Sequence, residues 1–306
     1  MSGLPASVKI KEVGPRDGLQ AEAAILSTED KLRLIGCLAG AGLREIEASS
    51  FVSPRAIPAL ADAAEVFANL DRRPGAVYSA VVPNEKGARR AVEAEADEIQ
   101  VFLAASEGYN RSNVRMSVEE SLEQAARVAK VAREADVPFV AVLSVAFGCP
   151  YEGAVAPERV LDLCGRLKEL GAREITLGDT TGMAYPTQVR GLSRAYGERY
   201  PDVPLRLHFH NTRGMGLANV LAALEAGVDR FDASVGGLGG SPYAPGATGN
   251  ICTEDLVHML HEMGVETGVD LEALIGCARL LEEFLGHELP GKVMKAGICG
   301  HLTAAP

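Results

Sequence analysis

Two histidines, His208 and His210, close a short apolar run that follows Pro201. On a β-strand successive side chains alternate between faces, so residues two apart point the same way. Two imidazoles on one face can chelate a divalent metal when other donors join them. Alone, the same pair would do local hydrogen bonding. Which of these holds depends on what the fold brings to that strand end.

The chain alternates strand and helix signals throughout. A strand over 8–13 stops at Gly14-Pro15, and a helix over 27–40 carries Leu32, Ile35, Leu38 and Ala39 at helical spacing. Ser27, with Asp30 three residues on, makes a capping-box-like start for that helix. Further strand–helix pairs read as 45–48 with 55–70, 77–82 with 85–94, 98–103 with 118–135, 138–145 with 157–170, and 174–177 with 187–196. The histidine strand 205–209 precedes a helix over 216–226, and 230–234 precedes one over 254–263. Such alternation implies parallel strands joined by crossover helices, and eight units in 306 residues fit a closed (β/α)8 TIM barrel. No GxGxxG follows the first strand, which weakens a dinucleotide-binding reading. The expectation is a single α/β domain over 1–306, with the barrel at about 8–265 and a C-terminal helix and tail over 266–306.

Thirty basic against 41 acidic residues give a net charge of −11, which disfavours a nucleic-acid or anionic-membrane partner. The longest uncharged run, 137–151, is too short to span a bilayer and is broken by Pro138, Gly148 and Pro150. The N-terminal residues lack a charged-then-apolar signal pattern. Six cysteines (37, 149, 164, 252, 277 and 299) form no CxxC pair, which argues against structural zinc. They read as reduced, mostly buried thiols of a cytoplasmic protein, Cys252 packing inward from a first helical turn.

In a barrel of this kind function gathers where strands end and the following loops begin. Those positions hold Arg16, Asp17 and Gln20 after strand one, Glu47 with Ser49 and Ser50 at strand two, and Asp179 at strand six. Strand seven contributes His208 and His210, and strand eight runs into a glycine-rich loop with Gly239 and Gly240 that leads to Asn250. Asp17, His208, His210 and Asn250 offer a carboxylate, two imidazoles and an amide oxygen, a set suited to Mg²⁺ or Mn²⁺ with positions left for substrate. Arg16, always cationic, could stabilise an enolate, with Glu47 and Asp179 orienting it or the histidines. Each residue also has a plainer role: Arg16–Asp17 as a surface ion pair, Asp179 and Asn250 as helix caps.

The segments Gly14-Pro15-Arg16-Asp17-Gly18-Leu19-Gln20, Glu45-Ile46-Glu47, Gly148-Cys149-Pro150-Tyr151-Glu152-Gly153, Leu177-Gly178-Asp179-Thr180, His208-Phe209-His210 and Gly237-Leu238-Gly239-Gly240 through Gly249-Asn250 together resemble the 3-hydroxy-3-methylglutaryl-CoA lyase family, among the metal-dependent TIM-barrel lyases and synthases. The resemblance implies retro-Claisen cleavage of a 3-hydroxyacyl-CoA to acetyl-CoA and a keto acid, of the type used in leucine degradation. It implies metal ligands at Asp17, His208, His210 and Asn250 and enolate stabilisation by Arg16. It also points to an acyl-CoA partner, met by Gln20, Ser50, Gly239 and Gly240, and to a homodimer. Two positions depart from the family pattern. Ser241 stands where the family has a catalytic cysteine, and Asn211 where it usually has Asp. Ser241 keeps two alternatives open: a related aldolase or acyl-CoA condensing enzyme, and a non-catalytic CoA-ligand binder.

Overall fold

The computed structural model describes residues 3–240 and 249–300; Ser241 lies outside them. Eight parallel strands close into a barrel in sequence order: β1 Lys9–Glu12, β2 Glu45–Ser50, β3 Val77–Val81, β4 Glu98–Ala104, β5 Phe139–Ser144, β6 Ile175–Asp179, β7 Leu205–Phe209 and β8 Arg230–Ala233. Closure is made by β1 against β8, with Ile10 opposite Phe231 and Glu12 opposite Ala233. The barrel expected from the alternation is therefore the observed fold.

The surrounding helices are α1 Thr28–Gly40, α2 Ala63–Ala68, α3 Glu85–Glu93, α4 Glu107–Val114, α5 Val118–Glu134, α6 Pro157–Glu169, α7 Pro186–Arg199, α8 Gly216–Leu224 and α9 Thr253–Glu262. Two more follow, α10 Leu271–Leu285 and α11 Val293–Ala296. Helix α5 illustrates how they form. Ser117 and Glu120 complete a capping box, and Leu122, Ala125, Val128, Ala129 and Ala132 bury one face. At α1, the expected cap is present: Ser27 accepts from the Asp30 amide.

Two expectations for elements change. The helix over 55–70 is instead a 3-10 turn at Pro58–Leu60 followed by the short α2. Pro58 removes a backbone donor, and the residue before it is held out of helical geometry. Helix α4, between the fourth strand and α5, has no apolar periodicity to announce it. It is held by the Ser106 cap and by buried Asn110, whose side chain bonds Ala104, Met116, Ser117 and Ser121.

The reading of all six cysteines as reduced thiols is corrected. Cys37 on α1 and Cys277 on α10 form a disulfide, because these helices pack together and place their Cα atoms 5.8 Å apart. Among the described residues no helix is long and apolar enough to cross a membrane.

The barrel interior carries charged and polar side chains. Alternate strand positions contribute Lys11, Glu45, Glu47, Glu98, Gln100, Arg206 and Asp232, while Ile46, Ile99, Leu207 and Phe231 between them belong to the hydrophobic core. At the lower end Arg206 donates to Glu174 and Glu45, Lys11 bonds Glu98 at 2.7 Å, and Arg230 bonds Glu174 at 3.0 Å. Each charge there has an opposite partner, which offsets its desolvation.

Candidate functional site

Strand β7 presents Arg206 and His208 on one face, and His210 continues that face just beyond the strand end. The Nε2 atoms of His208 and His210 lie 3.2 Å apart. Asp17 joins them: one ligand atom from each of Asp17, His208 and His210 falls within 4.8 Å of the others. Asp17 arrives there through a wide turn at Gly14–Gly18, in which the Arg16, Asp17 and Gly18 amides all point to the Val13 carbonyl.

Asn250 completes the cluster. It bridges to His210 through the backbone, its Nδ2 donates to Asp17 Oδ2 at 2.8 Å and to the Leu238 carbonyl at 2.9 Å, and its buried Oδ1 has no hydrogen-bond partner. A buried amide oxygen without a donor is costly unless something electropositive meets it. Beside it, two imidazole nitrogens and a carboxylate oxygen stand together as donor atoms. The donor set therefore fits a divalent cation. Asn250 is not a helix cap, since the N-cap position of α9 falls at Cys252.

Arg16 is not a surface ion pair. Its side chain is 15% exposed, its Nε donates to fully buried Glu47, and its Nη1 donates to Asp17 Oδ1 at 2.8 Å. Gln20 donates to the same Asp17 oxygen at 3.0 Å. Glu47 also accepts from Gln100, so the guanidinium sits in a fixed bracket. Burial raises the Asp17 carboxyl, but Arg16 and the two imidazoles outweigh it and hold the group below the ordinary range. For Glu47 burial wins and the carboxyl is raised despite Arg16. Burial pulls His208 down, but the Asp232 hydrogen bond and charge more than restore it, leaving the imidazole raised.

Asp179 ends β6, and its Oδ1 accepts from the Met183 and Ala184 amides, so it does organise the turn before α7. Its Oδ2 is buried without a partner, and burial pushes the carboxyl up to about 7. The Ser50 hydroxyl donates to the Val81 carbonyl within the barrel wall. Asn211 accepts from the Gly216 amide and so fixes the start of α8. Gly239 takes φ +98°, and a Cβ there would stand 2.6 Å from Asn250 Nδ2 and 3.0 Å from the Asp17 carbonyl. Only glycine lets this loop approach the donor set so closely. Gly240, half-buried, follows it.

Sequence reasoning missed three carboxylates. Asp232 accepts from His208 Nδ1 at 3.2 Å. Glu12 ties strand ends together, accepting from the Gly14 amide at 2.7 Å, the Val235 amide at 2.8 Å and the Thr253 hydroxyl at 2.7 Å. Glu254 accepts from the Gly236 amide and from the Cys252 thiol, so Cys252 does pack inward, as its place before α9 suggested. Burial pushes Glu12 up to about 7 and Glu254 up to about 8. Their signal in the sequence is the polar half of the strand alternation for Asp232, an acidic residue closing β1 for Glu12, and one in the first turn of α9 for Glu254.

Comparison with known proteins agrees with this geometry. The HMGL-like family model matches residues 7–281. The chain is 48% identical to the hydroxymethylglutaryl-CoA lyase YngG of Bacillus subtilis over 94% of this chain and 96% of that one. It is 49% identical to the hydroxymethylglutaryl-CoA lyase of Pseudomonas mevalonii, over 88% and 89%. The structure of an HMG-CoA lyase from Acinetobacter baumannii, in complex with coenzyme A and 3-methylmalate, superposes with a TM-score of 0.95 at 45% identity and covers the whole of both chains. With its barrel and its Asp–His–His cluster at the mouth, the chain belongs to the HMGL-like family.

Proposed function

We propose that this protein is a metal-dependent carbon–carbon lyase that cleaves 3-hydroxy-3-methylglutaryl-CoA, or a close 3-hydroxyacyl-CoA, to acetyl-CoA and a 3-keto acid. The observation that carries the reading is the convergence of Asp17, His208 and His210, with Arg16 bonded to Asp17, at one end of the barrel. The coenzyme A bound in the A. baumannii relative supports an acyl-CoA substrate here. Asp17, His208, His210 and Asn250 would hold Mg²⁺ or Mn²⁺, and a cation there would supply Lewis acidity that makes the substrate hydroxyl more acidic.

The protein's own residues then divide the work. A base removes the proton of the tertiary hydroxyl. The adjacent carbon–carbon bond breaks, its electron pair moves into the thioester as an enolate, and the oxygen remains as the keto group. Arg16, fixed by Glu47 and Asp17, offsets the enolate charge. Asp179, raised to about 7, is suited to exchanging a proton near neutral pH. A proton delivered to the enolate carbon completes acetyl-CoA. Gln20, Ser50, Gly239 and Gly240 are the residues that would meet the acyl-CoA. A single domain, a homodimeric assembly and a cytoplasmic location belong to the same proposal.

Ser241 takes the place of the family's proton-donating cysteine. A thiol with pKa ~8.5 exchanges protons near neutrality, whereas a serine hydroxyl is a far weaker acid. That substitution favours a second reading, an aldolase or condensing enzyme of the same fold that acts on a different acyl-CoA. The complete donor set disfavours a mere binder. The test is acetyl-CoA release from 3-hydroxy-3-methylglutaryl-CoA with Mg²⁺ or Mn²⁺, comparing wild type with Ser241→Cys. Wild-type turnover supports the lyase. Turnover only in the cysteine variant supports the second reading, and none in either overturns both the substrate and the site.

A further inference from the structure

His208 offers two ring nitrogens, and only one arrangement of its proton suits a metal at the mouth. We propose that Asp232 is a positioning residue that fixes His208 in the tautomer with the proton on Nδ1, turning the Nε2 lone pair toward Asp17 and His210. This rests on His208 being a metal ligand, as read above.

Strand register places the two residues side by side, His208 of β7 opposite Asp232 of β8. Asp232 is 3% exposed, and its Oδ2 lies 3.2 Å from His208 Nδ1. A carboxylate only accepts, so the hydrogen between these atoms belongs to the imidazole. Nε2 then carries the lone pair, and it is Nε2 that faces the His210 ring nitrogen. The arrangement is a carboxylate–histidine–metal relay, in which the outer carboxylate sets ring orientation and raises ligand basicity.

The other carboxylate oxygen, Oδ1, has no hydrogen-bond partner but feels a positive charge from below. Asp232 Oδ1 lies 3.6 Å from Arg206 Nη1, and Arg206, fully buried, is clamped by Glu174, Glu45 and the Phe231 carbonyl. A chain of contacts thus runs from the floor of the barrel to the metal ligand. Arg206 has Glu174 and Glu45 as closer counter-charges, so it steadies Asp232 by charge attraction and does not depend on it. A merely structural Asp232 would serve Arg206 alone and would leave the tautomer of His208 indifferent.

Two readouts on substrate-free protein separate these cases. Mn²⁺ affinity, followed by electron paramagnetic resonance, should fall roughly 10–100-fold in Asp232→Asn, the size typical of losing such a partner. In ¹⁵N NMR of metal-free wild type at about pH 9, above the imidazole range, His208 should be protonated at Nδ1 and bare at Nε2. The second readout needs no variant, so a poorly folding Asp232→Asn does not rescue the idea. If wild type binds Mn²⁺ and the variant binds it equally well, or if His208 carries its proton on Nε2, the role of Asp232 is wrong while the metal site stands. If wild type binds no Mn²⁺, the site and this inference fall together.

Discussion

The two ends of the barrel interior are both buried and both charged, yet they are built on opposite terms. At the floor, Lys11, Arg206 and Arg230 face Glu45, Glu98 and Glu174, each cation within bonding distance of a carboxylate. At the mouth, atoms able to bind a metal gather instead. The nitrogens of His208 and His210 converge on Asp17, and Asn250 keeps an oxygen without a donor. The floor pairs its charges internally, whereas the mouth groups donor atoms that could hold a cation. Buried charge alone therefore does not mark a functional site; clustered metal-binding donors beside an unpartnered polar atom do.

Substitutions at the two ends should break differently. His210→Ala should abolish stoichiometric Mn²⁺ binding, measured by metal analysis after dialysis, because it removes one of three closely set ligands. Unchanged stoichiometry would remove His210 from the site. Arg206→Met at the floor should instead cost about 3–5 kcal/mol of stability by urea unfolding, the scale of stranding a buried carboxylate. A small loss would mean that the floor network relaxes or admits water. Arg16→Gln joins the two behaviours. It should retain the metal yet lower kcat by roughly 10²–10³, the effect of deleting a partner for developing negative charge. An unaltered kcat would end the enolate role.

The smallest effect concerns pH. Glu12 and Glu254 have folded values of about 7 and 8 against an ordinary 4.5. The folded state therefore binds protons more tightly than the unfolded state, and stability must fall as pH rises from about 4.5 to about 8, then level off. Burial, acting first, is opposed at Glu174 by Arg206 and Lys11, which hold it down to about 2, so its contribution is lost only below the ordinary carboxylate range. Urea midpoints should decline between those limits, and Glu254→Gln should flatten the decline. A midpoint that climbs with pH across that window would contradict the assignment.

Much of this was legible in the sequence because the fold converts periodicity into position. The histidine strand was expected at 205–209 and is observed as Leu205–Phe209. Once eight strand–helix units implied a barrel, strand ends had to share a mouth, and Asp17, His208 and His210 do meet there. What escaped was pairing across the barrel. Asp232 stands beside His208, and Glu12 bonds Thr253, through closure of the barrel, and no local pattern carries that register. Helix α4 escaped because Asn110 and Ser106 hold it by hydrogen bonds instead of by an apolar stripe. The Cys37–Cys277 link joins residues 240 apart and depends on how α10 seats against α1.

The central claim is that the mouth of the barrel needs a divalent cation to cleave its substrate. The most direct measurement is acetyl-CoA release from 3-hydroxy-3-methylglutaryl-CoA by chelator-stripped protein, titrated with Mg²⁺ or Mn²⁺. The account predicts no release from stripped protein, saturable recovery on adding either ion, and no recovery in His210→Ala. Release from stripped protein at the undiminished rate, or full recovery in His210→Ala, would contradict it.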